Sequence, residues 1–111
     1  AAHLNNSIGG MGLNGGIHDA INAADKIIKI WQGEADETSL DIYDIQRRTT
    51  THEFTQAQTI ANKKRLEAKD AQTRKKNLAE LKEMALDPTR AKKFMMGTSM
   101  LSAVRRAATL G

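Results

Sequence analysis

Apolar residues recur every three or four positions from Ile17 onward, at Ile17, Ala20, Ile21, Ala24, Ile27, Ile28 and Trp31. That spacing lines one side of a 3.6-residue helix and predicts a helix over Ile17–Trp31. Gly33 follows where a C-terminal cap belongs. Upstream, Ala1–Gly16 shows no such period and holds Gly9, Gly10, Gly12, Gly15 and Gly16, so a glycine-rich loop is expected there. After a polar connection, Glu34–Thr38, a second helix runs through Leu40, Ile42, Tyr43 and Ile45 to Arg48. Thr38 and Asp41 are spaced as a capping box at its start. The β-branched run Thr49-Thr50-Thr51 weakens that helix without forbidding it.

From His52 to about Leu86 the residues are good helix formers, with no glycine or proline, but apolar positions thin out and Asp70–Asn77 has almost none. One long helix with a wet middle and two helices around a bend near Asp70 fit equally well. Asp87-Pro88 restarts the helix, aspartate as cap and proline in the first turn. A short helix over Arg90–Met96 should stop at Gly97. A last one over Thr98–Leu110 would carry Met100, Leu101, Val104 and Ala108 on one side. No segment reads as a strand. The expected fold is all-α: a glycine-rich loop followed by four to five helices.

At 111 residues the chain supports one modest core. With two Phe, one Tyr and one Trp, that core should be aliphatic, built from Ile, Leu, Met and Ala. The absence of cysteine excludes disulfides, thiolate zinc sites and cysteine nucleophiles. No apolar run approaches the ~20 residues of a membrane span, and a cytoplasmic location is expected, with no membrane partner. Net charge is +4, but residues 1–55 carry four Lys/Arg against eight Asp/Glu, and residues 56–111 thirteen against five. The basic run Lys63-Lys64-Arg65, with Lys69, Arg74, Lys75 and Lys76, could meet phosphates. It lacks interleaved aromatics, so a solvated helix face is the plainer reading and nucleic acid is not the expected partner.

A glycine-rich loop entering a helix suits an anionic or electron-rich ligand, because the backbone can approach closely and the first-turn N–H groups point outward. Gly10-Met11-Gly12-Leu13-Asn14-Gly15 formally matches G-x-G-x-x-G, but no hydrophobic strand precedes it and no acid-bearing strand follows. A loop that merely needs positive φ angles would look the same. His3, His18 and His52 are too scattered for a metal set. His18 and Asp19 fall in the first turn of the expected helix, where an aspartate suits the dipole. No serine, histidine and acid combination stands out, so no catalytic side chain is assigned.

The string AAHLNNSIGGMGLNGGIHDA resembles one motif of the flavin-dependent aromatic hydroxylases, the para-hydroxybenzoate hydroxylase-like monooxygenases. Ala1-Ala2-His3, Gly10, Gly12-Leu13-Asn14, Gly16 and Asp19-Ala20 fall in register with it. Leu40-Asp41-Ile42-Tyr43-Asp44-Ile45-Gln46-Arg47-Arg48 is similar to that family's Leu-x-x-Tyr-x-x-x-Arg-Arg. Asp87-Pro88-Thr89-Arg90-Ala91 and Ser99-Met100-Leu101 resemble the end of its C-terminal helical region. Ser7 and Thr49 stand where the family commonly has proline.

The resemblance implies FAD as cofactor, NAD(P)H as co-substrate and a phenolic or related aromatic substrate. The residues carried over as flavin-contacting are Gly12, Leu13 and Asn14, with Gly10 and Met11 lining the approach; their N–H groups would face the pyrimidine edge of the ring. Residues 1–33 would end the FAD-binding domain of an α/β enzyme, and residues 34–111 would form the C-terminal helical region. The family's ribityl-binding aspartate would stand just before Ala1, so the chain is expected to be a C-terminal fragment, inactive alone, whose partner is the N-terminal remainder of the same protein. Ile21, Ile27, Ile28 and Trp31 would then need other cover, and self-association is expected. A basic helical nucleic-acid-binding module and a dimerisation or scaffold segment are the alternatives.

Overall fold

The computed structural model describes residues 3–111; Ala1 and Ala2, which belong to the expected loop and to the Ala-Ala-His motif, lie outside the described residues. The elements are α1 (Met11–Trp31), α2 (Ser39–Thr50), a π turn (Thr51–Gln56), α3 (Ala57–Leu66), α4 (Ala71–Leu86), α5 (Pro88–Thr98) and α6 (Leu101–Ala108). α2, the π turn and α3 follow one another without a break, giving five helical bodies and no strand among the described residues. The all-α expectation holds. α1 packs on α2, and α2 on α6. The π turn touches α1 and α6, and α5 joins the α4–α5 hairpin to α6. The molecule is elongated, 59 × 28 × 16 Å, with a radius of gyration of 17.2 Å; a compact domain of this length would have about 13 Å.

The glycine-rich stretch is not a loop throughout. α1 begins at Met11, one and a half turns before Ile17, and takes in Gly12, Gly15 and Gly16. The loop proper ends at Gly9 (φ 88°) and Gly10 (φ 67°), where the left-handed backbone turns the chain into the helix. Glycine in a helix costs roughly 0.5–1 kcal/mol relative to alanine, and the early start repays this by burying Met11 and extending the packed side of α1. Asp19 therefore lies two turns inside the helix rather than in its first turn. At the other end Gly33 (φ 74°) completes the expected cap: its N–H bonds the Ile30 carbonyl at 3.0 Å and the Glu34 N–H reaches Lys29 at 2.9 Å.

Three further boundaries differ from expectation. Thr38 makes no capping bond to α2; its hydroxyl and its N–H (3.0 Å) both bond the Asp36 carboxylate, which folds the connection instead. Between α3 and α4 the bend prevails over the continuous helix, because Asp70 caps α4 through the Thr73 N–H at 2.8 Å. Gly97 lies within α5, and the last helix starts only at Leu101, because buried Met100 adopts φ 62° and makes the corner. Asp87 and Pro88 do open α5: the Asp87 carboxylate accepts from Thr89 and Arg90 N–H at 3.0 and 3.3 Å.

The aliphatic core is only partly realised. Met11, Met100, Ala103 and Ala107 are the buried apolar residues, while Asp19, Arg47, Thr50, Thr51, Thr55 and Thr59 are buried polar ones. The threonines turn their hydroxyls back on the helix, Thr50 to the Gln46 carbonyl (2.8 Å) and Thr59 to that of Thr55 (2.7 Å). Leu13, Ile17, Ile21, Ile27, Ile28 and Trp31 are exposed, Trp31 by 90%. α1 thus meets its own chain with small and polar residues and turns its apolar stripe outward. Asn22 and Lys26 both bond Gln46 Oε1 (3.0 and 2.9 Å), and Gln46 Nε2 donates to the Leu110 carbonyl at 2.7 Å.

An ion pair holds this arrangement. Arg47 Nε donates to Asp19 Oδ1 at 2.6 Å, with both side chains buried, and His3 Nδ1 meets Asp19 Oδ2 at 3.0 Å. Burial opposes the Asp19 charge, but hydrogen bonds from Arg47 and His3, and the charge they bring, outweigh it and hold the carboxyl below the ordinary aspartate range.

Asp19→Ala, which strands the buried Arg47, should cost about 3–5 kcal/mol in urea unfolding, whereas a paired Asp19→Leu/Arg47→Met replacement should cost far less. Because the Asp19 pKa is lowered on folding, its contribution is complete above the unfolded value of about 3.9 and is lost as pH falls through the folded value. Unfolding curves between pH 5 and pH 2 should show that loss in the natural chain, and Asp19→Asn should flatten it.

Candidate functional site

The segment His3–Gly10 approaches α1 from outside the helix pair and is tied down at two points. His3 meets Asp19 on α1, and Asn5 Nδ2 donates to Thr59 Oγ1 on α3 at 2.8 Å. Asn6 Oδ1 accepts the Ile8 N–H (2.8 Å), and the Gly10 N–H bonds the Ser7 carbonyl (3.2 Å). A Cβ at Gly9 would lie 2.9 Å from Asn62 Nδ2, so the loop rests against α3. A small cavity of about 10 Å³ behind the turn is bounded by His3, Gly12, Asp19, Thr51 and Thr55, room for about one water.

The helix start is open. No side chain caps α1, and no acidic residue occupies its first turn. The N–H groups of Met11, Gly12 and Leu13 have no intrahelical acceptor, and the positive end of the dipole stays uncompensated. The five candidate residues stand together here. Gly10 is the left-handed entry, Leu13 and Asn14 are exposed, and Gly12 is half-buried. Met11 differs from its expected place: the whole residue is 4% exposed, so its side chain is buried and does not line an approach.

The glycines of the first two turns are not demanded by contacts within the chain. A Cβ at Gly12 would meet the Asn5 carbonyl oxygen at 3.8 Å, an ordinary contact, and one at Gly15 or Gly16 would meet nothing within 4 Å. A side chain at any of the three would meet no clash within the chain, yet Gly12, Gly15 and Gly16 all border the small cavity with Asp19, Thr51 and Thr55, on the inward side of α1.

The remaining candidates do not converge. His18 lies along the helix from this turn, His52 bonds its neighbour Gln56 at 2.9 Å, and no metal-holding group of His, Cys, Asp or Glu occurs among the described residues. Lys63, Lys64, Lys69, Arg74, Lys75 and Lys76 all face solvent, with Lys63 near Glu67 at 3.7 Å. No helix among the described residues is long and apolar enough to cross a membrane. The sequence reading missed the cluster of His3, Asp19 and Arg47. Its one signal was an aspartate on the side of α1 opposite Ile17 and Ile21, the side that an apolar-moment argument assigns to water.

The FAD binding domain family matches residues 1–58. The chain is 33% identical over 105 residues to para-nitrophenol 4-monooxygenase of Pseudomonas sp. (strain WBC-3), covering 95% of this chain and 26% of that protein. It is 38% identical over 63 residues to a 3-(3-hydroxy-phenyl)propionate/3-hydroxycinnamic acid hydroxylase of Mycolicibacterium vanbaalenii, covering 57% of this chain and 11% of that protein. The chain thus spans about a quarter or less of the curated relatives it matches. No solved structure matches it.

Alanine substitutions should separate the two kinds of glycine. Gly10→Ala forces a side chain into the left-handed region and should destabilise by about 1–2 kcal/mol, while Gly15→Ala should stabilise by roughly 0.5–1 kcal/mol, both read from thermal unfolding.

Proposed function

The chain belongs to the FAD binding domain family, and on that premise we propose that it is the flavin-facing helix start and the C-terminal helical part of a FAD- and NAD(P)H-dependent monooxygenase acting on a phenolic substrate. The observation that carries this reading is the uncapped start of α1, entered through left-handed Gly10. The donor set fits a flavin ring. Gly10, Met11, Gly12, Leu13 and Asn14 would hold its pyrimidine edge, Met11 through its backbone alone. FAD bound there would supply the reduction of oxygen and the transfer of one oxygen atom to the aromatic ring.

The part played by these residues is electrostatic and steric. The N–H groups of Met11, Gly12 and Leu13, already aligned by the helix, would stabilise negative charge gathering on the ring's pyrimidine edge during reduction, with no reorganisation of solvent. The absence of a side chain at Gly12 would let the ring lie against the backbone. Leu13, largely exposed in this structure, would become an apolar wall. None of these side chains can take up or deliver a proton, so the chain on its own is not expected to catalyse.

The outward apolar stripe of α1 belongs to the same reading. Ile21, Ile27, Ile28 and Trp31 would be covered by the rest of such an enzyme, and in the isolated chain by a second copy.

Gly12→Ala provides the test. In the full-length protein carrying this chain, the added methyl has room within the chain, so folding should be unaffected while the dissociation constant for FAD rises about tenfold. A phenol should accelerate NAD(P)H oxidation in the unsubstituted enzyme. A colourless full-length protein with no affinity for FAD would overturn the reading. For the isolated chain, sedimentation should show concentration-dependent association that Ile21→Glu/Ile28→Glu abolishes; a cooperatively folded monomer of the natural chain would refute it.

A further inference from the structure

Resting on that reading, we propose that His3 is a positioning residue for the flavin: through Asp19 it fixes the loop that delivers the Gly10–Leu13 turn to the ring. The imidazole Nδ1 lies 3.0 Å from Asp19 Oδ2, and the other oxygen of the same carboxylate is held by Arg47 at 2.6 Å. Asp19 is 5% exposed and its pair with Arg47 joins α1 to α2. His3 is therefore fastened to the least movable point of the helix pair rather than to a surface group.

The carboxylate is ionised, so it accepts and the Nδ1–H of His3 donates. Six residues separate His3 from Gly10, and the described structure gives them only one other side-chain tether to the helices, Asn5 on Thr59 at 2.8 Å. The rest of the segment is an Asn6–Ile8 turn and two left-handed glycines, Gly9 and Gly10, which any residue's absence of restraint would leave free to sample other angles. Removing the His3 tether leaves Asn5 on Thr59 as the one side-chain anchor of the loop on the helices. The helix still aligns the N–H groups of Met11–Leu13, but the loop that flanks them, His3–Gly10, becomes one that must be ordered on binding.

The geometry sets a specific pattern for substitution. Asparagine places its Nδ2 near the position of histidine Nδ1, whereas glutamine reaches toward Nε2 and alanine offers nothing. In the full-length flavoprotein, His3→Ala and His3→Gln should raise the dissociation constant for FAD about tenfold, the scale of one hydrogen bond to a charged group. His3→Asn should restore it. The visible circular dichroism of bound flavin should change in the first two variants and return in the third. In the flavin-free protein, amide exchange at Ile8 and Gly10, whose N–H groups bond Asn6 and Ser7, should quicken in His3→Ala while exchange in α4 stays unchanged, which a general loss of stability would not produce. Equal FAD affinity and equal exchange in all three variants would overturn the role of His3 and leave the flavin reading standing. Failure of the unsubstituted protein to bind FAD would bring down both.

Discussion

The carboxylate of Asp19 sits where three segments of the chain have to meet, and the rest of the fold is arranged around keeping it charged. Arg47 brings α2, His3 brings the entering loop, and the helix that carries Asp19 supplies the third. A buried aspartate tolerates its surroundings only when its oxygens are satisfied, and here one goes to each neighbour. The lowered Asp19 pKa reflects that the partners prevail over desolvation. With four buried apolar residues among the described residues, this polar junction carries a share of the tertiary specificity that an aliphatic core usually supplies.

That balance explains the orientation of α1. The side that meets α2 and the π turn is made of glycine, aspartate, asparagine and lysine, and the opposite side of isoleucine, leucine and tryptophan. Seen alone, the helix is inside out. Its N-terminus is open, while Gly12, Gly15 and Gly16 lie on the inward side, bordering the cavity beside Thr51 and Thr55. The elongated shape and the family match over residues 1–58 are consistent with a segment whose contacts are divided between itself and something larger.

Much of this was legible in the sequence, and the failures have identifiable causes. Periodicity located the body of α1 and α2, Gly33 marked the end of α1, and Asp87-Pro88 marked the start of α5. The motif around Gly12-Leu13-Asn14 gave the family before any geometry was known. The start of α1 was misplaced because glycine composition argues for a loop, whereas two left-handed glycines and the burial of Met11 decide where the helix begins. Thr38 was read as a cap because its spacing to Asp41 is correct, but Asp36, two residues earlier, competes for the same hydroxyl. Asp19 was read as a dipole partner because its real partner lies 28 residues away, a distance at which pattern arguments have no reach.

The π turn at Thr51–Gln56 has a consequence for how the length of this chain can vary. Such a turn holds one residue more than the α-helix around it, so a one-residue deletion there would close it into ordinary helix without breaking the rod. Because the wider turn spends its extra residue over nearly the same rotation, everything after it would keep its phase, with Thr59 still toward Asn5. The segment is the place where the rod can absorb a change of length: a single deleted codon there would be taken up locally, whereas the same deletion within α2 or α3 would turn the far end of the helix by about 100°.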